Sequence, residues 1–294
     1  LHRLIRRQRQ MCIRDRSQPD GFSQPSTYKN ELWNYISGIV GKNHNERRNY
    51  IIDRLLELRV DFKIEPFLRV SADTIKGENI EVSLGSKRKK LIICGHYDAV
   101  PESPGANDNG AAVAIILTLI KYFKNENIKQ RIEFIFFDQE EKGMVGSSAY
   151  CEKHPESEIF AVINLDVVGV GNAFFVGPVG GGDDNTILPF IRNEAKKLGI
   201  NIFERTIYPS SDYIPFMYRK IENISISMMP GDSFSIIDKF LSGKSEELKP
   251  EEIPSVLKYM HTPKDNLEYI SKEAMESVFL LLKNIIISMN KGIN

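Results

Sequence analysis

Short runs of apolar residues alternate with longer amphipathic stretches along the chain, beginning near Tyr28. The spacing of Ile51, Ile52, Leu55 and Leu56 predicts a helix over Asn45 to Leu58, preceded by an asparagine placed to cap it. Phe62 to Val70 and Glu78 to Leu84 read as two strands joined by a glycine-containing turn, as in a hairpin. Leu91 to Cys94, Ile132 to Phe137, Phe160 to Leu165 and Ile224 to Met228 are short apolar runs that suit strands buried on both faces. Between them lie helical stretches. Ala111 to Phe123 is apolar throughout, Thr186 to Leu198 stops at Gly199, and Ala274 to Met289 keeps Met275, Val278, Leu282, Ile285 and Met289 on one side. Strand and helix in alternation predict an α/β fold, a mostly parallel mixed sheet sandwiched by helices in a single domain.

Composition narrows the partners. The 294 residues are 41% hydrophobic, enough for a sizeable core, and 39 basic residues balance 39 acidic ones. Without a basic field, no nucleic-acid or anionic-membrane partner is expected. Lys87 to Lys90, just before a strand, reads as a solvated turn. The longest apolar candidate for a membrane span, Val278 to Ile287, is interrupted by Lys283 and Asn284, so no span is expected. Cys12, Cys94 and Cys151 do not suggest a disulfide framework, and Cys94 reads as a small buried hydrophobe.

The residues before Ser17 are rich in arginine and carry no apolar period. Met11-Cys12-Ile13-Arg14-Asp15-Arg16 resembles the reading frame of a transposon end used to build sequencing libraries, so residues 1–16 are expected to be a translated cloning artefact. Residues 17–44 are then expected to form an amino-terminal extension or helix, and 45–294 the enzyme-like domain. A start of this kind leaves the native amino terminus and any signal peptide unread, and the sequence assigns no compartment.

Acids and histidines stand at separated positions where hydrophobic runs end: His96 in GHYD, Asp108 in GANDNGA, Glu140 and Glu141 in DQEEKG, Asp166 in NLDVVG and His261 in MHTPKDN. His96, the Glu140-Glu141 pair and Asp166 follow predicted strands, and an open α/β sheet binds ligands beyond those carboxyl ends. Asp108 precedes a predicted helix, whose amino terminus keeps a carboxylate ionised and able to bridge two cations. Such nitrogen and oxygen donors suit a pair of divalent metals, with one carboxylate left for acid–base work. One member of the Glu140-Glu141 pair is expected to bind metal while the other faces the water between the metals, with Gly143 turning the chain after them. Asp98 is placed to accept the proton on the far imidazole nitrogen of His96 and so set its tautomer. A lone His-x-Asp or Glu-Glu pair is more often a surface feature. The order His, Asp, Glu-Glu, Asp, His, each at the end of an element, is what separates this set from that reading.

These motifs resemble the M28 family of zinc aminopeptidases over roughly Asn45 to the carboxyl terminus. The matching stretches are GHYD, SPGANDNGAA at Ser103 to Ala112, FFDQEEKGMVGS at Phe136 to Ser147, INLDVVG, SSDY at Ser210 to Tyr213, and HTPKD at His261 to Asp265. The resemblance implies a single zinc-peptidase-like domain with two Zn2+ ions, or other divalent metals, and a peptide or small aminoacyl substrate. It implies that His96, Asp108 and Asp166 hold one ion and that Asp108, Glu141 and His261 hold the other. It further implies Glu140 as general base, Asp98 as orienter of His96, a cis peptide at Asp108-Asn109, and Tyr208 as an aid to the oxyanion. Tyr208, beside Pro209, equally fits a packed loop aromatic. The implied reaction is aminopeptidase hydrolysis, in which Glu140 takes a proton from a water between the metals and returns it to the leaving amine.

Other readings differ in class. The M20 amidohydrolases use a similar donor order, but the short gap from His96 to Asp108 and the lack of a second-domain insertion argue against a deacylase of that kind. Glutaminyl cyclases use a related fold with one zinc, whereas the full donor set here favours two. A metal-free receptor-like binding domain is opposed by the intact donors and intact Glu140. Pro230 to Tyr259 reads as a wall or lid over the site or, equally, as a surface insertion. Gly180-Gly181-Gly182 reads as a turn rather than a phosphate cradle, since no helix opening with Lys and Ser or Thr follows.

Overall fold

The computed structural model describes residues 25–70, 74–180, 185–244, 246 and 248–291. The expectations for residues 1–16, and Gly181 and Gly182 of the glycine run, lie outside them. In chain order the elements are α1 (Pro25–Ile39), α2 (His44–Leu58), β1 (Lys63–Val70), β2 (Thr74–Leu84), β3 (Lys90–His96), α3 (Ala111–Phe123), β4 (Arg131–Phe137), α4 (Val145–Lys153), β5 (Ile159–Leu165), β6 (Ala173–Gly177), α5 (Leu188–Leu198), β7 (Asn201–Glu204), α6 (Ile214–Tyr218), β8 (Asn223–Met229), α7 (Phe234–Leu241), α8 (Ser255–Tyr259) and α9 (Lys272–Lys291). The strands form one sheet in the order β1-β2-β4-β3-β5-β8-β6-β7. Its centre, β4-β3-β5-β8, is parallel, as is β6 with β7, while β1-β2, β2-β4 and β8-β6 are antiparallel.

The continuous apolar runs occupy the parallel centre because helices cover both faces. Leu91, Ile93, Phe134, Phe136 and Ile163 point to a large core with α1, α2, α3, α5 and α9. Their neighbours Ile92, Cys94, Ile135, Phe137 and Val162 point the other way, to Tyr150 and Cys151 of α4 and Phe216 of α6. Cys94 and Cys151 are free and buried. Met275, Val278, Leu282, Ile285 and Met289 of α9 are all buried. Among the described residues no helix is long and apolar enough to cross a membrane.

Local differences from the pattern have physical causes. In α2 the buried face is Arg47, Ile51, Leu55 and Leu58, while Leu56 is exposed, so a cation one turn before Ile51 extends the face that Ile51 and Leu55 begin. Asn43 caps that helix in a reciprocal box with Glu46. Gly77 belongs to β2, opposite Phe67, rather than to the hairpin turn, because a Cβ there would meet the Phe67 ring at 2.3 Å and Asp138 Oδ2 at 2.7 Å. Helix α5 starts at Leu188 instead of Thr186, since Asn185 Oδ1 accepts from the amides of Ile187 (3.0 Å) and Leu188 (2.8 Å). Lys90 is a buried strand residue rather than part of a solvated turn. The 230–259 segment opens with α7, which buries Phe234 and Ile237 against Phe175, Tyr208 and Tyr213. Arg205 Nη2 donates to Asp238 at 2.8 Å and pins α7 to the end of β7.

Candidate metal centre

Strand ends deliver the first donors. His96 is the last residue of β3 and Asp166 follows β5 directly, so parallel pairing of β3 with β5 sets both at one sheet edge. Asp108 lies in the tight turn Ala106–Gly110 before α3, and the Asp108-Asn109 peptide is cis, as the resemblance implies. His96 Nε2 is 3.2 Å from Asp108 Oδ1 and 3.7 Å from Asp166 Oδ1. On the other side, His261 Nε2 is 3.0 Å from Asp108 Oδ2 and 3.1 Å from Glu141 Oε2. The two oxygens of Asp108 therefore face two different donor groups, and within each group the ligand atoms lie within 4.8 Å of one another.

Surrounding groups hold these donors in place. The Asp98 carboxylate accepts the amides of Glu140 and Glu141, each at 3.1 Å. It also lies 3.4 Å from His96 Nδ1, which is 3.2 Å from the Asp98 carbonyl as well. One aspartate thus orients the imidazole and the Glu-Glu turn together, a wider task than the tautomer control its spacing suggests. Gly143, at φ 95, closes that turn in a conformation side chains rarely adopt.

Several supporting residues escaped the sequence reading. Asp265, inside HTPKD, accepts the amides of Asn107 (2.7 Å) and Asp108 (3.1 Å). Asn107 Oδ1 accepts from Gly169 N at 2.7 Å, and Asn109 Nδ2 donates to the Leu165 carbonyl at 2.8 Å, which ties the Asp108 turn to the end of β5. Arg47, buried in α2, donates to the carbonyls of Tyr97 (2.5 Å), Pro104 and Gly105 and so spans the loop from His96 to Asp108. Asp212 of SSDY is buried and accepts from Ser147 Oγ at 2.6 Å. The motif match signalled Asp265 and Asp212 as positions without giving either a task. Arg47 carried no local signal.

The electrostatics are those of too many carboxylates in too little water. Burial, with Asp212, Asp166 and Asp108 nearby, pushes Glu140 up to about 9. Burial and Asp108 raise Glu141 to about 7. Burial also opposes the charge on Asp108, yet its bonds to His261 and His96 hold it well below the usual carboxylate range. The bond to Asp108 lifts His261 to about 9. Asp166 Oδ1 and Glu141 Oε1 are buried with no hydrogen-bond partner among the described residues. Orphaned carboxylate oxygens beside imidazole nitrogens are the donor chemistry of zinc-class ions, so the residues fit the metals that the resemblance implies.

Tyr208 stands apart from this cluster in its bonding. Its hydroxyl is 2.7 Å from Ser227 Oγ and donates to the Phe175 carbonyl at 3.2 Å, and its ring stacks on Phe175. The packed loop aromatic is the arrangement found.

The family model described as peptidase family M28 matches residues 79–286. Aminopeptidase YwaD of Bacillus subtilis (strain 168) is 32% identical over 222 residues, covering 73% of this chain and 44% of YwaD. The chain spans less than half the length of the curated relatives it matches. Among solved structures, BSAP, a zinc aminopeptidase from Bacillus subtilis, superposes with a TM-score of 0.70 at 17% identity, covering 89% of this chain and 94% of that one. Porphyromonas gingivalis glutaminyl cyclase superposes with a TM-score of 0.70 at 16% identity, covering 90% and 98%. At these identities the structural likeness establishes the fold.

Proposed function

The chain belongs to peptidase family M28, and from that premise we propose that it hydrolyses amino-terminal peptide bonds with two zinc-class ions and Glu140 as the proton carrier. The observation that carries this reading is Asp108, whose two oxygens face separate groups of donors. His96, Asp108 and Asp166 would hold one ion, and Asp108, Glu141 and His261 the other. When bound, such ions polarise the scissile carbonyl and make water acidic enough to be deprotonated near neutral pH.

The chain's own groups then divide the work. Glu140 belongs to neither donor group, yet its amide is anchored on Asp98 beside Glu141. Its carboxylate accepts a proton from the attacking water and returns it to the departing amino group. Cations held by the two donor groups would offset the carboxylates that raise its pKa, which suits a group that must both accept and release a proton. His96 presents Nε2 to Asp108 and Asp166 while Nδ1 faces Asp98, which keeps the ring in one tautomer. Tyr208, the oxyanion aid that the resemblance implies, is given no step in this scheme; its hydroxyl is 2.7 Å from Ser227 Oγ and donates to the Phe175 carbonyl at 3.2 Å.

Metal analysis combined with aminoacyl anilide hydrolysis tests the assignment in wild type and Glu140→Gln. The variant is expected to retain its ions and lose activity by a factor on the order of 10² or more. Full activity in the variant would overturn Glu140 as the base. Ammonia release from peptides with amino-terminal glutamine, in place of anilide hydrolysis, would instead mark a cyclase.

A further inference from the structure

On the sheet face beneath α4, away from the centre described above, Glu65 of β1, Glu81 of β2 and His154 at the end of α4 bring ligand-type atoms within 4.8 Å of one another. We propose that Glu65, Glu81 and His154 form a separate site for a divalent zinc-class ion that ties the edge hairpin β1-β2 to α4.

Both glutamates are buried, and the polar atoms around them are left incomplete. Glu81 Oε1 and the hydroxyl of Tyr150 are buried with no hydrogen-bond partner among the described residues. Tyr150 is fully buried on α4, and its ring stacks on His154 at 3.9 Å between centroids. Buried polar atoms left without hydrogen bonds, one on the cluster and one on the residue stacked against His154, are groups that a further partner would satisfy.

A positive charge already marks the position. Lys63 Nζ is 2.7 Å from Glu65 Oε1 and 3.6 Å from Glu81 Oε1, but more than half of its side chain is exposed on a flexible stem. An exposed ammonium of this kind is displaced cheaply. Glu133 is already served by Lys90 at 3.6 Å and Arg131 at 3.2 Å, so it stays outside the ligand set. His154 Nε2 lies 3.3 Å from Glu65 Oε2, so the imidazole presents a ring nitrogen to the same place as the two carboxylates. One imidazole with two carboxylates suits zinc, cobalt or manganese better than calcium, which takes six or more oxygens.

The test is the stoichiometry of the metal-free full chain reloaded with Zn2+ and dialysed. His154→Ala and Glu81→Gln are each expected to hold one ion fewer than wild type, whatever number the reaction centre holds, and to lose part of the zinc-dependent rise in Tm. Anilide hydrolysis is expected to stay within about twofold of wild type, because neither residue touches that centre. Equal stoichiometry in wild type and variants would overturn the site and leave Lys63 as the permanent counter-charge. Should the variants not fold, wild-type crystals grown with Zn2+ decide the matter by anomalous scattering. A peak bounded by Glu65, Glu81 and His154 supports the site, and its absence overturns it. Either failure leaves the reading of Glu140 untouched.

Discussion

His96 and His261 face opposite oxygens of Asp108, yet the chain delivers them in different ways. His96 is the end of a central strand, 1% exposed, with Asp166 directly after the neighbouring strand and Asp98 behind it. The side chain of His261 is 50% exposed, and its backbone sits at φ 61 in a loop after α8. Its partner Glu141 rides on a turn rather than a strand. One half of the centre is thus built from the sheet itself, and the other from segments that open at lower free energy. For the proposed pair of ions, the difference predicts unequal hold on the two.

Removing the shared residue should erase the comparison altogether. Asp108→Ala is expected to release both ions and reduce hydrolysis by a factor on the order of 10³ or more, since both groups lose a ligand at once. Metal analysis and anilide kinetics measure this, and an ion retained at full occupancy would show that Asp108 does not bridge.

Substitutions on either side should then separate the halves. His261→Ala is expected to keep an ion at His96 and Asp166 and, since half of the side chain is exposed, to destabilise the metal-free fold less than the loss of His96 does. His96→Ala removes the buried imidazole that lies against Asp98, Asp108 and Asp166, which should destabilise the metal-free fold by about 1–3 kcal/mol. Urea unfolding in the presence of chelator distinguishes them. Equal losses in the two variants would mean that the strand end gives no extra hold.

The strand-end half was also the more legible from sequence. His96 and Asp166 follow apolar runs whose limits mark sheet edges, so their meeting place could be inferred without a structure. The loop half could be assigned only through the resemblance, because nothing in the spacing brings His261 back to Glu141 across the fold. Arg47 escaped because its value lies in carbonyls about fifty residues away, on a helix face where a cation breaks the apolar period. Tyr208 was ambiguous because a tyrosine beside a proline does not show where its hydroxyl points; Ser227, on β8, settles that. Short β6, flanked by glycines, offers too little pattern to be seen beside the longer runs.

The smallest effect concerns what steadies the turn under the loop half. Asp138, at the base of the Glu140-Glu141 turn, is 2.6 Å from His44 Nε2 and accepts the Glu78 amide at 2.9 Å. The bond to Asp138 raises the pKa of His44 above its ordinary value, against the opposing effect of burial. A histidine with a raised folded pKa contributes stability that is fully present below its unfolded pKa, about 6.5. That contribution fades as pH rises through the folded value. Because more than a third of the His44 side chain is exposed, screening keeps the contribution below about 1 kcal/mol. Relative to His44→Gln, wild type should therefore lose stability as pH rises from about 6.5 through the raised folded pKa of His44. Parallel urea unfolding series across that range measure the difference. A constant difference would mean that the His44 charge does not support the turn, and that the loop half rests on Asp98 and Asp265 alone.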